Sequence, residues 1–419
     1  MTIQDCFTPP KALITLDQAM VFLTERLDPV VSTERVAVTD AEHRVLAEDI
    51  VAPLSNPRAA CSAMDGYAFA SADLSATGPE VALRLTARIA AGHPHQGRFG
   101  SGEAARIFTG AVMPTDFDSV AMQEDCRVED DLVYVPSQTR PGDWVRPVGQ
   151  DYVDGTVVLR QGRRLRPQDV AMAASVGRTE LMVCRRLRVG VFSTGDEVAE
   201  PGQVLAEGQV FGCNRQGILA MVRGLGCEAE DLGNIPDRFD LTKDCLAAAS
   251  DRCDLLITSG GVSVGGEDHV RAAVESLGAI HLWRMAIKPG KPAALGHVGR
   301  SVFIGLPGYP VSSLVTLMMI ARPVILRLAG AVAESPHPWR YPVRAAFSFD
   351  KRDKRREFIR VSLRTGDDGR PEALLYRSQE SNVLSSLVET DGLVDLREET
   401  HHVASGDLVD FIPYSALQW

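Results

Sequence analysis

Residues 187–328 alternate between short apolar segments and amphipathic segments, and this alternation limits the possible folds more than any other feature of the sequence. One amphipathic segment places Ile218, Met221, Val222 and Leu225 on a single helical face, and Asn214 stands at its expected cap position. Strands that alternate with helices predict a parallel or mixed doubly wound sheet, here an α/β domain over residues 185–330. The predicted strands are 187–192, 227–232, 254–258, 279–285 and 301–305.

The flanking regions have different patterns. Residues 335–419 contain five runs of period-two hydrophobicity, which predict a compact all-β domain. Residues 54–142 have the composition of a β-rich insert, whereas 1–50 and most of 143–184 suggest helices and turns, with a capping box at Thr15 and Gln18. Because 1–53 and 143–184 are each too small to fold alone, they are expected to form one helical domain split by the insert. The sequence thus predicts four domains.

Charge and hydropathy exclude two broad classes of function. Lys and Arg number 44 against 55 Asp and Glu, a formal net charge of −11, which disfavours a general nucleic-acid binder. The longest apolar tract, 311–328, is interrupted by Ser312, Thr316, Arg322 and Pro323, so no membrane span is expected. The first residues have no apolar core of a signal peptide. We therefore expect a cytoplasmic protein.

Three loops rich in Gly, Ser, Thr and Pro follow predicted strands, at 193–197, 258–268 and 306–313. Ligands of open α/β sheets bind outside the carboxyl ends of the strands, where glycines let backbone N–H groups approach an anion. Each loop by itself could be only a turn. Three such loops at corresponding strand ends favour a phosphate or other oxyanion site.

Two basic segments could supply charge to that site. Lys288 and Lys291 lie on a turn with Pro and Gly between them, and one lysine close to an anion outweighs the distant net charge. The segment 351–360 contains six basic residues and is expected to be an edge strand protected by charge. One or two of its arginines could also contact an oxyanion in bidentate geometry.

Carboxylates recur beside glycines or turns and could hold Mg²⁺ next to phosphate groups. Singly, each is more often a helix cap or a turn residue, and their spacing does not show that they converge. The candidates are Asp65, Asp151, Glu197, Asp237 and Asp268.

Six phrases stand in order along the chain: Ser-Ala-Met-Asp-Gly-Tyr-Ala (62–68), Phe-Thr-Gly-Ala (108–111), Phe-Ser-Thr-Gly-Asp-Glu (192–197), Ser-Gly-Gly-Val-Ser-Val-Gly (259–265), Ile-Lys-Pro-Gly-Lys-Pro (287–292) and Gly-Leu-Pro-Gly-Tyr-Pro-Val-Ser (305–312). Taken together, they resemble the molybdopterin molybdenumtransferases, the MoeA family, whose animal relative is the gephyrin E domain. The resemblance implies an elongated four-domain homodimer with a split helical domain, a β-rich insert, an α/β domain and a C-terminal β-barrel. It also implies a reaction that joins molybdate to the dithiolene of adenylylated molybdopterin and releases AMP.

The resemblance assigns roles to individual residues. It implies that Asp268 is the essential acid after the glycine-rich loop, and that Asp268 and Glu197 hold Mg²⁺. Contacts to molybdate and to the phosphate of the pterin are implied for Lys288, Lys291, Pro292, Ser312, Arg355, Thr109, Ser259, Gly260, Gly261 and Ser263. Further catalytic positions are implied for Asp65, Asp151, Glu197 and Asp237, some of them acting across the dimer interface. Arg356 is an alternative to Arg355, and a transient contact with the molybdopterin adenylyltransferase is implied as well.

Two positions depart from the family pattern. Tyr309 stands where the family commonly has Asn, and Gly212 stands where it often has Asp. These departures leave open the alternative of a gephyrin-like scaffold that binds a partner peptide with weak or no catalysis. A paralogue that handles tungstate or is otherwise specialised is a further alternative, because lysines barely distinguish molybdate from tungstate.

Overall fold

The computed structural model of the protein describes residues 14–74, 78–261, 269–290 and 292–418, apart from the side chains of residues 24, 282–284, 292 and 418. The chain divides into two compact units. The first consists of Met1–Glu48, Gln161–Val170 and Thr179–Trp419, and the second of Asp49–Arg160 and Ala171–Arg178. The limits of the four predicted domains are finer than this division and stay a prediction.

A six-stranded mixed sheet forms the α/β part of the first unit, as the sequence predicts. Four neighbouring strands are parallel, and an antiparallel hairpin extends the sheet beyond them. In spatial order the strands are Glu228–Ile235, Arg188–Thr194, Leu255–Ser259, Ser301–Leu306, Pro292–Val298 and Gly278–Arg284. The helices that alternate with them are Asn214–Gly224, Phe239–Ser250, His269–Leu277 and Pro310–Thr316.

Helices cover both faces of this sheet, which explains its apolar strands. Leu255 and Ile257 pack in one core with Ile218, whereas Leu256 packs in a second core with Leu246. Side chains of a strand alternate between its two faces, so a strand covered on both sides must be apolar at consecutive positions. The continuous apolar runs in the sequence follow from this doubly wound arrangement.

The helical stretch Pro310–Leu328 forms the centre of the larger core. It consists of α-helix over Pro310–Thr316, a π-helical segment over Leu317–Ala321 and α-helix over Arg322–Leu328. The π segment ends two residues before Pro323, which cannot donate a backbone hydrogen bond. By length and hydropathy the stretch could cross a membrane, contrary to the expectation from the sequence, but 89% of it is buried inside the protein, as in a core helix.

Five strands of the C-terminal region close into a β-barrel, which confirms the predicted all-β domain. The first strand of the barrel, Arg356–Thr365, pairs again with the last, Gly392–Leu396. The prediction of an edge strand over 351–360 is wrong. The strand begins only at Arg356, where residues 356–357 pair with Ile287–Lys288 and residues 357–361 pair with Gly392–Leu396 on the other side, and Arg356 and Arg360 are buried. Around the barrel the strands are Arg356–Thr365, Pro371–Leu375, Tyr341–Ala345, Leu408–Pro413 and Gly392–Leu396, with the short pair Phe349–Asp350 and His402–Val403 beside it.

The first helix, Leu16–Arg26, begins with the predicted capping box. The N–H of Gln18 donates to Thr15 Oγ1 at 3.2 Å, and the N–H of Thr15 donates to Gln18 Oε1 at 3.0 Å. Residues 1–13 lie outside the described residues. For residues 27–50 the helical interpretation is wrong apart from the 3-10 turn Val38–Asp40, since Thr33–Ala37 is a strand that pairs with Glu180–Cys184. β-Branched residues in and around this segment favour strand over helix.

The second unit is β-rich, as predicted for the insert. Its main sheet has six strands, and two short antiparallel pairs accompany it. In spatial order the main strands are Ser119–Met122, Gly66–Phe69, Glu103–Ile107, Glu80–Ile89, Leu132–Pro136 and Arg127–Glu129. The short pairs are Cys61–Ser62 with Val145–Arg146, and Ile50–Val51 with Val157–Leu159. Further elements among the described residues are the helices Pro167–Ser175, Ser385–Val388 and Ser415–Gln418, the paired strands Val198–Ala199 and Val210–Phe211, the short strand Ile287–Lys288, and the 3-10 turns Val38–Asp40, Ser71–Asp73 and Gln123–Asp125.

Candidate functional site

The described parts of the three glycine-rich loops meet at the carboxyl edge of the α/β sheet. The N–H of Gly260 donates to the carbonyl of Leu306 at 3.1 Å, which joins the second loop to the third. Gly261 lies against Thr194 of the first loop, so close that a Cβ at Gly261 would come 2.7 Å from Thr194 Cγ2. Position 261 requires glycine because of this close contact and also because its φ of +65° is in the left-handed region. The convergence expected from the sheet topology is therefore present.

Asn214 ties two of these loops together, a role that the sequence did not reveal. Its Nδ2 donates to Ser259 Oγ at 2.8 Å and to the carbonyl of Gly308 at 2.7 Å. The predicted helix cap is wrong, because the helix already begins at Asn214 and Cys213 takes the cap position. The buried hydroxyl of Ser259 is used in this network rather than in the lining of the cleft described next.

A cleft of about 1020 Å³ opens where these loops face the C-terminal barrel. Both walls belong to the same compact unit. The α/β wall is formed by Gly260, Gly261, Lys288, Pro289, Gly290, Pro307, Gly308, Tyr309 and Ser312. The barrel wall is formed by Ser348, Phe349, Asp350, Arg352, Arg355, Glu357, Gln379, Glu380 and Ser381.

The lysine turn is attached directly to the barrel. The short strand Ile287–Lys288 pairs in parallel with Arg356 and Glu357 at the start of the first barrel strand. Lys288 Nζ lies 2.8 Å from Glu357 Oε1. The turn continues through Gly290, whose φ is +115° and where a Cβ would come 2.3 Å from Thr316 Oγ1. The position of Lys288 is therefore fixed by strand pairing, by its ion pair with Glu357 and by the close packing of Gly290 against Thr316.

Glu357 is almost fully buried, with 3% of its side chain exposed. Its Oε1 is paired with Lys288, whereas its Oε2 is buried without a hydrogen-bond partner among the described residues. Lys351 lies near enough for its charge to interact with Glu357; burial lowers the pKa of Lys351, and Glu357 opposes that shift. A buried carboxylate is strongly unfavourable without a paired cation, so Lys288 and Glu357 depend on each other.

Arg355 and Arg356 have different surroundings. Arg355 lines the cleft, donates to Asp353 Oδ2 at 3.0 and 2.7 Å, and reaches the carbonyl of Ile287 at 3.4 Å. Arg356 is buried and makes a bidentate pair with Asp395, with both distances 2.7 Å. Of the two arginines, Arg355 is the one placed for contact with a ligand of the cleft.

The amino end of the helical stretch Pro310–Leu328 points its first turn towards the cleft. Ser312 in that turn lines the cleft, and the N–H of Val311 donates to the carbonyl of Ser381 on the barrel wall at 3.0 Å. Helix amino ends carry a partial positive charge that favours anions. Tyr309 is the cap residue, yet its side chain makes no capping hydrogen bond with this turn.

A buried arginine shapes the barrel loop that faces this helix. Arg360 Nη2 donates to the carbonyls of Ser378 and Glu380, while the N–H of Arg360 donates to Gln379 Oε1 at 2.8 Å. Burial lowers the pKa of Arg360 to about 10. The loop in turn places Ser381 in the cleft. Sequence reasoning missed Ser381 and Arg360, because isolated serines and a basic strand carry no local signal of such a role.

Asp65 and Thr109, two candidates from separate phrases, are in contact in the second unit. Asp65 Oδ1 accepts hydrogen bonds from the N–H of Thr109 at 2.8 Å and from its hydroxyl at 2.9 Å. These bonds lower the pKa of Asp65 and keep it ionised. Asp151 of the same unit is exposed and accepts from Asn56 Nδ2 at 3.2 Å. The functions of these residues stay predictions.

The other candidates are dispersed or lie outside the described residues. Glu197 and Asp237 are exposed, and neither lines the described cleft. Asp268, Lys291, Ser263 and the side chain of Pro292 are outside the part of the chain that the structure describes. Within the described ranges, no three His, Cys, Asp or Glu side chains come together as a metal centre.

The charged residues that line the cleft are mixed in sign. Within residues 269–290 and 292–418, three basic side chains, Lys288, Arg352 and Arg355, face three acidic ones, Asp350, Glu357 and Glu380. An anion in this cleft would therefore depend on local contacts to Lys288, Arg355 and Ser312 rather than on an overall positive field.

Comparison with known proteins places the chain within one family along most of its length. Residues 14–177 match the MoeA N-terminal region (domain I and II), 190–327 a probable molybdopterin binding domain, and 342–414 the MoeA C-terminal region (domain IV). A molybdopterin molybdenumtransferase of Haemophilus influenzae is 36% identical, covering 97% of this chain and all of the relative. A protein of the same name from Nostoc is 34% identical over 96% of this chain and 93% of its own length.

Solved structures agree with this assignment. Two structures of the molybdopterin biosynthesis MoeA protein from Pyrococcus horikoshii cover 96% of this chain and 100% or 99% of theirs. Their TM-scores are 0.79 and 0.73, at 26% and 27% sequence identity. The fold, the order of the matched regions and the full-length relatives agree, and the chain therefore belongs to the MoeA family of molybdopterin molybdenumtransferases.

Proposed function

We propose that the protein transfers molybdenum from molybdate onto the dithiolene of adenylylated molybdopterin, with release of AMP. The observation that carries this proposal is the cleft itself. It brings Lys288, Arg355, Ser312 and the backbone of Gly260 and Gly261 into one space of about 1020 Å³. That volume is near the upper end of small-molecule sites, and the donors suit an oxyanion.

In this proposal the chain's main task is to hold anions side by side. Molybdate and the phosphate of the nucleotide repel each other, so fixed cations and N–H groups must offset that repulsion. Lys288 and Arg355 are both restrained, the first by Glu357 and the second by Asp353. Restrained donors need little reorganisation when the substrate arrives, which favours charge stabilisation during transfer.

A requirement for Mg²⁺ is also part of the proposal. Mg²⁺ is usually held by one or two carboxylates together with substrate phosphates, so a cluster of protein ligands is not needed. Asp268 and Glu197 are the residues that would hold it, the first outside the described residues and the second exposed. Bound Mg²⁺ would neutralise charge on the phosphate as the bond to AMP breaks.

The purified protein is expected to release AMP when it is given molybdate and adenylylated molybdopterin with Mg²⁺. Release should be stoichiometric with the formation of molybdenum cofactor, because the proposal couples the two events. Chromatographic detection of AMP, together with reconstitution of an apo-molybdoenzyme, measures both products. EDTA in place of Mg²⁺ should suppress AMP release.

The control reaction contains the same components without molybdate. AMP release that is equally fast without molybdate would identify simple hydrolysis, and absence of AMP release in the complete reaction would contradict the proposed function. AMP release unaffected by EDTA would contradict the Mg²⁺ requirement alone.

We further propose that the protein is a homodimer in the cytoplasm and receives its substrate from a molybdopterin adenylyltransferase. Analytical ultracentrifugation at micromolar concentration is expected to give about twice the 45.4 kDa mass of one chain. A species of the monomer mass alone would contradict the dimer. The relatives named as transferases match almost the whole chain, which does not favour the alternative of a gephyrin-like scaffold with weak catalysis.

A further inference from the structure

Tyr309 is unusual among the residues of the cleft. It lines the α/β wall between Gly308 and the helical turn of Ser312, and 63% of the residue is exposed. Large aromatic side chains gain most of their free energy from burial, so a tyrosine this exposed contributes little to the fold at this position. Its ring is available to a ligand of the cleft.

A different residue at position 309 would stabilise the local helix better. Tyr309 occupies the cap position of the helix that begins at Pro310, where Asn, Asp, Ser and Thr are preferred because their side chains accept a backbone hydrogen bond. The tyrosine forms no such bond with the first turn. A residue that is unfavourable for the helix and exposed in a cleft is a candidate for a binding role.

The size of the cleft indicates what could lie against this ring. A water molecule takes up about 30 Å³ and a tetrahedral oxyanion only a few times as much, far below the 1020 Å³ available. Contacts for an anion are provided by Lys288 and Arg355, which leaves most of the space for a second, larger substrate. Phe349 lines the same cleft from the barrel wall, so both walls present an aromatic side chain.

We propose that Tyr309 contributes to substrate affinity by stacking on a flat heteroaromatic ring of the larger substrate, beside the oxyanion that Lys288 and Arg355 hold. The inference rests on the proposed function for the identity of that ring, which is the pterin or the adenine of adenylylated molybdopterin. Aromatic faces stack on such rings whatever their pattern of hydrogen-bonding groups, so the ring of Tyr309 rather than its hydroxyl carries the interaction.

The test uses three substitutions of one residue in the full-length protein. Tyr309→Ala and Tyr309→Asn are expected to raise KM for adenylylated molybdopterin by about 10- to 100-fold, the range found when a stacking aromatic is removed. Tyr309→Phe keeps the ring and should stay within about twofold of wild type by the same argument. In all three variants, kcat and KM for molybdate should change little, because the anion contacts remain.

Thermal stability provides a second measurement, because Tyr309→Asn is expected to stabilise the protein while it weakens substrate binding. Tyr309→Asn supplies a preferred cap residue and is expected to raise Tm by about 2 °C while it weakens substrate binding. A loss of affinity together with a more stable protein cannot be explained by misfolding. Tyr341→Ala is the matched control, since Tyr341 is 53% exposed on the barrel and does not belong to the described lining of the cleft. Its KM should equal that of wild type.

An unchanged KM in Tyr309→Ala would overturn the inference, and so would a loss in Tyr309→Phe as large as that in Tyr309→Ala. If the wild-type protein releases no AMP, the proposed function fails. Stacking on Tyr309 is then still tested by equilibrium titration of the protein with pterin alone and with AMP alone. Weaker binding of either probe to Tyr309→Ala than to wild type would support stacking on Tyr309 and would identify which ring of the substrate stacks there. Equal binding of both probes to the two proteins would reject it.

Discussion

Replacing Lys288 with alanine is expected to weaken molybdate binding by about 100- to 1000-fold, because two unit charges about 4 Å apart interact by about 4 kcal/mol near a protein surface. The loss should be visible as a higher Kd for molybdate in isothermal titration calorimetry and as a higher KM for molybdate in the AMP-release assay. Lys288 lines the cleft at a position fixed by strand pairing with the barrel, so a neighbouring side chain cannot easily take its place.

The same substitution has a second consequence that must be separated from binding. It removes the cation paired with Glu357, which is almost fully buried, and so it should also destabilise the protein. The double variant Lys288→Met, Glu357→Gln removes both charges at similar volume. We expect this double variant to recover stability while molybdate binding stays weak.

Lys243→Ala serves as the matched control for the loss of a lysine. Lys243 lies on the helix Phe239–Ser250, near the ring of Phe239, and does not belong to the described lining of the cleft. Its molybdate affinity should equal that of wild type. Recovery of molybdate binding in the double variant would contradict a direct role for Lys288 and would attribute the loss to the unpaired carboxylate instead.

Asp395→Ala is expected to destabilise the C-terminal barrel by about 3–5 kcal/mol, the effect of breaking a buried ion pair by removing one partner. Asp395 is fully buried in side-chain terms, makes a bidentate pair with Arg356, and lies 3.2 Å from Arg340. Its removal would leave two guanidinium groups close together without their shared carboxylate. Urea-induced unfolding followed by circular dichroism measures the shift.

The control for this prediction is Asp410. It lies opposite Asp395 in the backbone register of the adjacent barrel strand. Asp410 has 40% of its side chain exposed and lies 3.6 Å from Arg397. Asp410→Ala should cost less than about 1 kcal/mol, as is usual for exposed ion pairs. Equal shifts for Asp395→Ala and Asp410→Ala would contradict the importance of burial.

Much of the fold could be predicted because its signals are local. The three consecutive apolar residues that begin the strand Leu255–Ser259 are a signal that depends only on immediate neighbours. The capping box of Thr15 and Gln18 is likewise contained in four residues. Burial of Arg356 and Arg360 was not predictable, since a charged strand resembles a solvent-exposed edge until the partners that enclose it are known.

The site was predictable only in part, for a similar reason. The lysine turn and the glycine-rich loops are visible as short phrases, and the sheet topology brings the loops together. The barrel wall is not visible, because Ser381 and Phe349 reach the cleft through contacts between distant parts of the chain. Asn214 carries a correct local signal for a helix start, but its amide is used in bonds to Ser259 and Gly308, which local pattern cannot show.

The parallel pairing of Ile287–Lys288 with Arg356 and Glu357 has a consequence for how this protein tolerates insertions and deletions. Adjacent residues of a strand point to opposite sides, so a shift of one position reverses every side chain in the segment. Inserting one residue between Glu357 and Phe358 would therefore turn Glu357 away from Lys288 while leaving the composition of both segments nearly intact. We therefore expect the protein to tolerate substitutions of most residues in these two paired segments better than it tolerates a change in the number of residues.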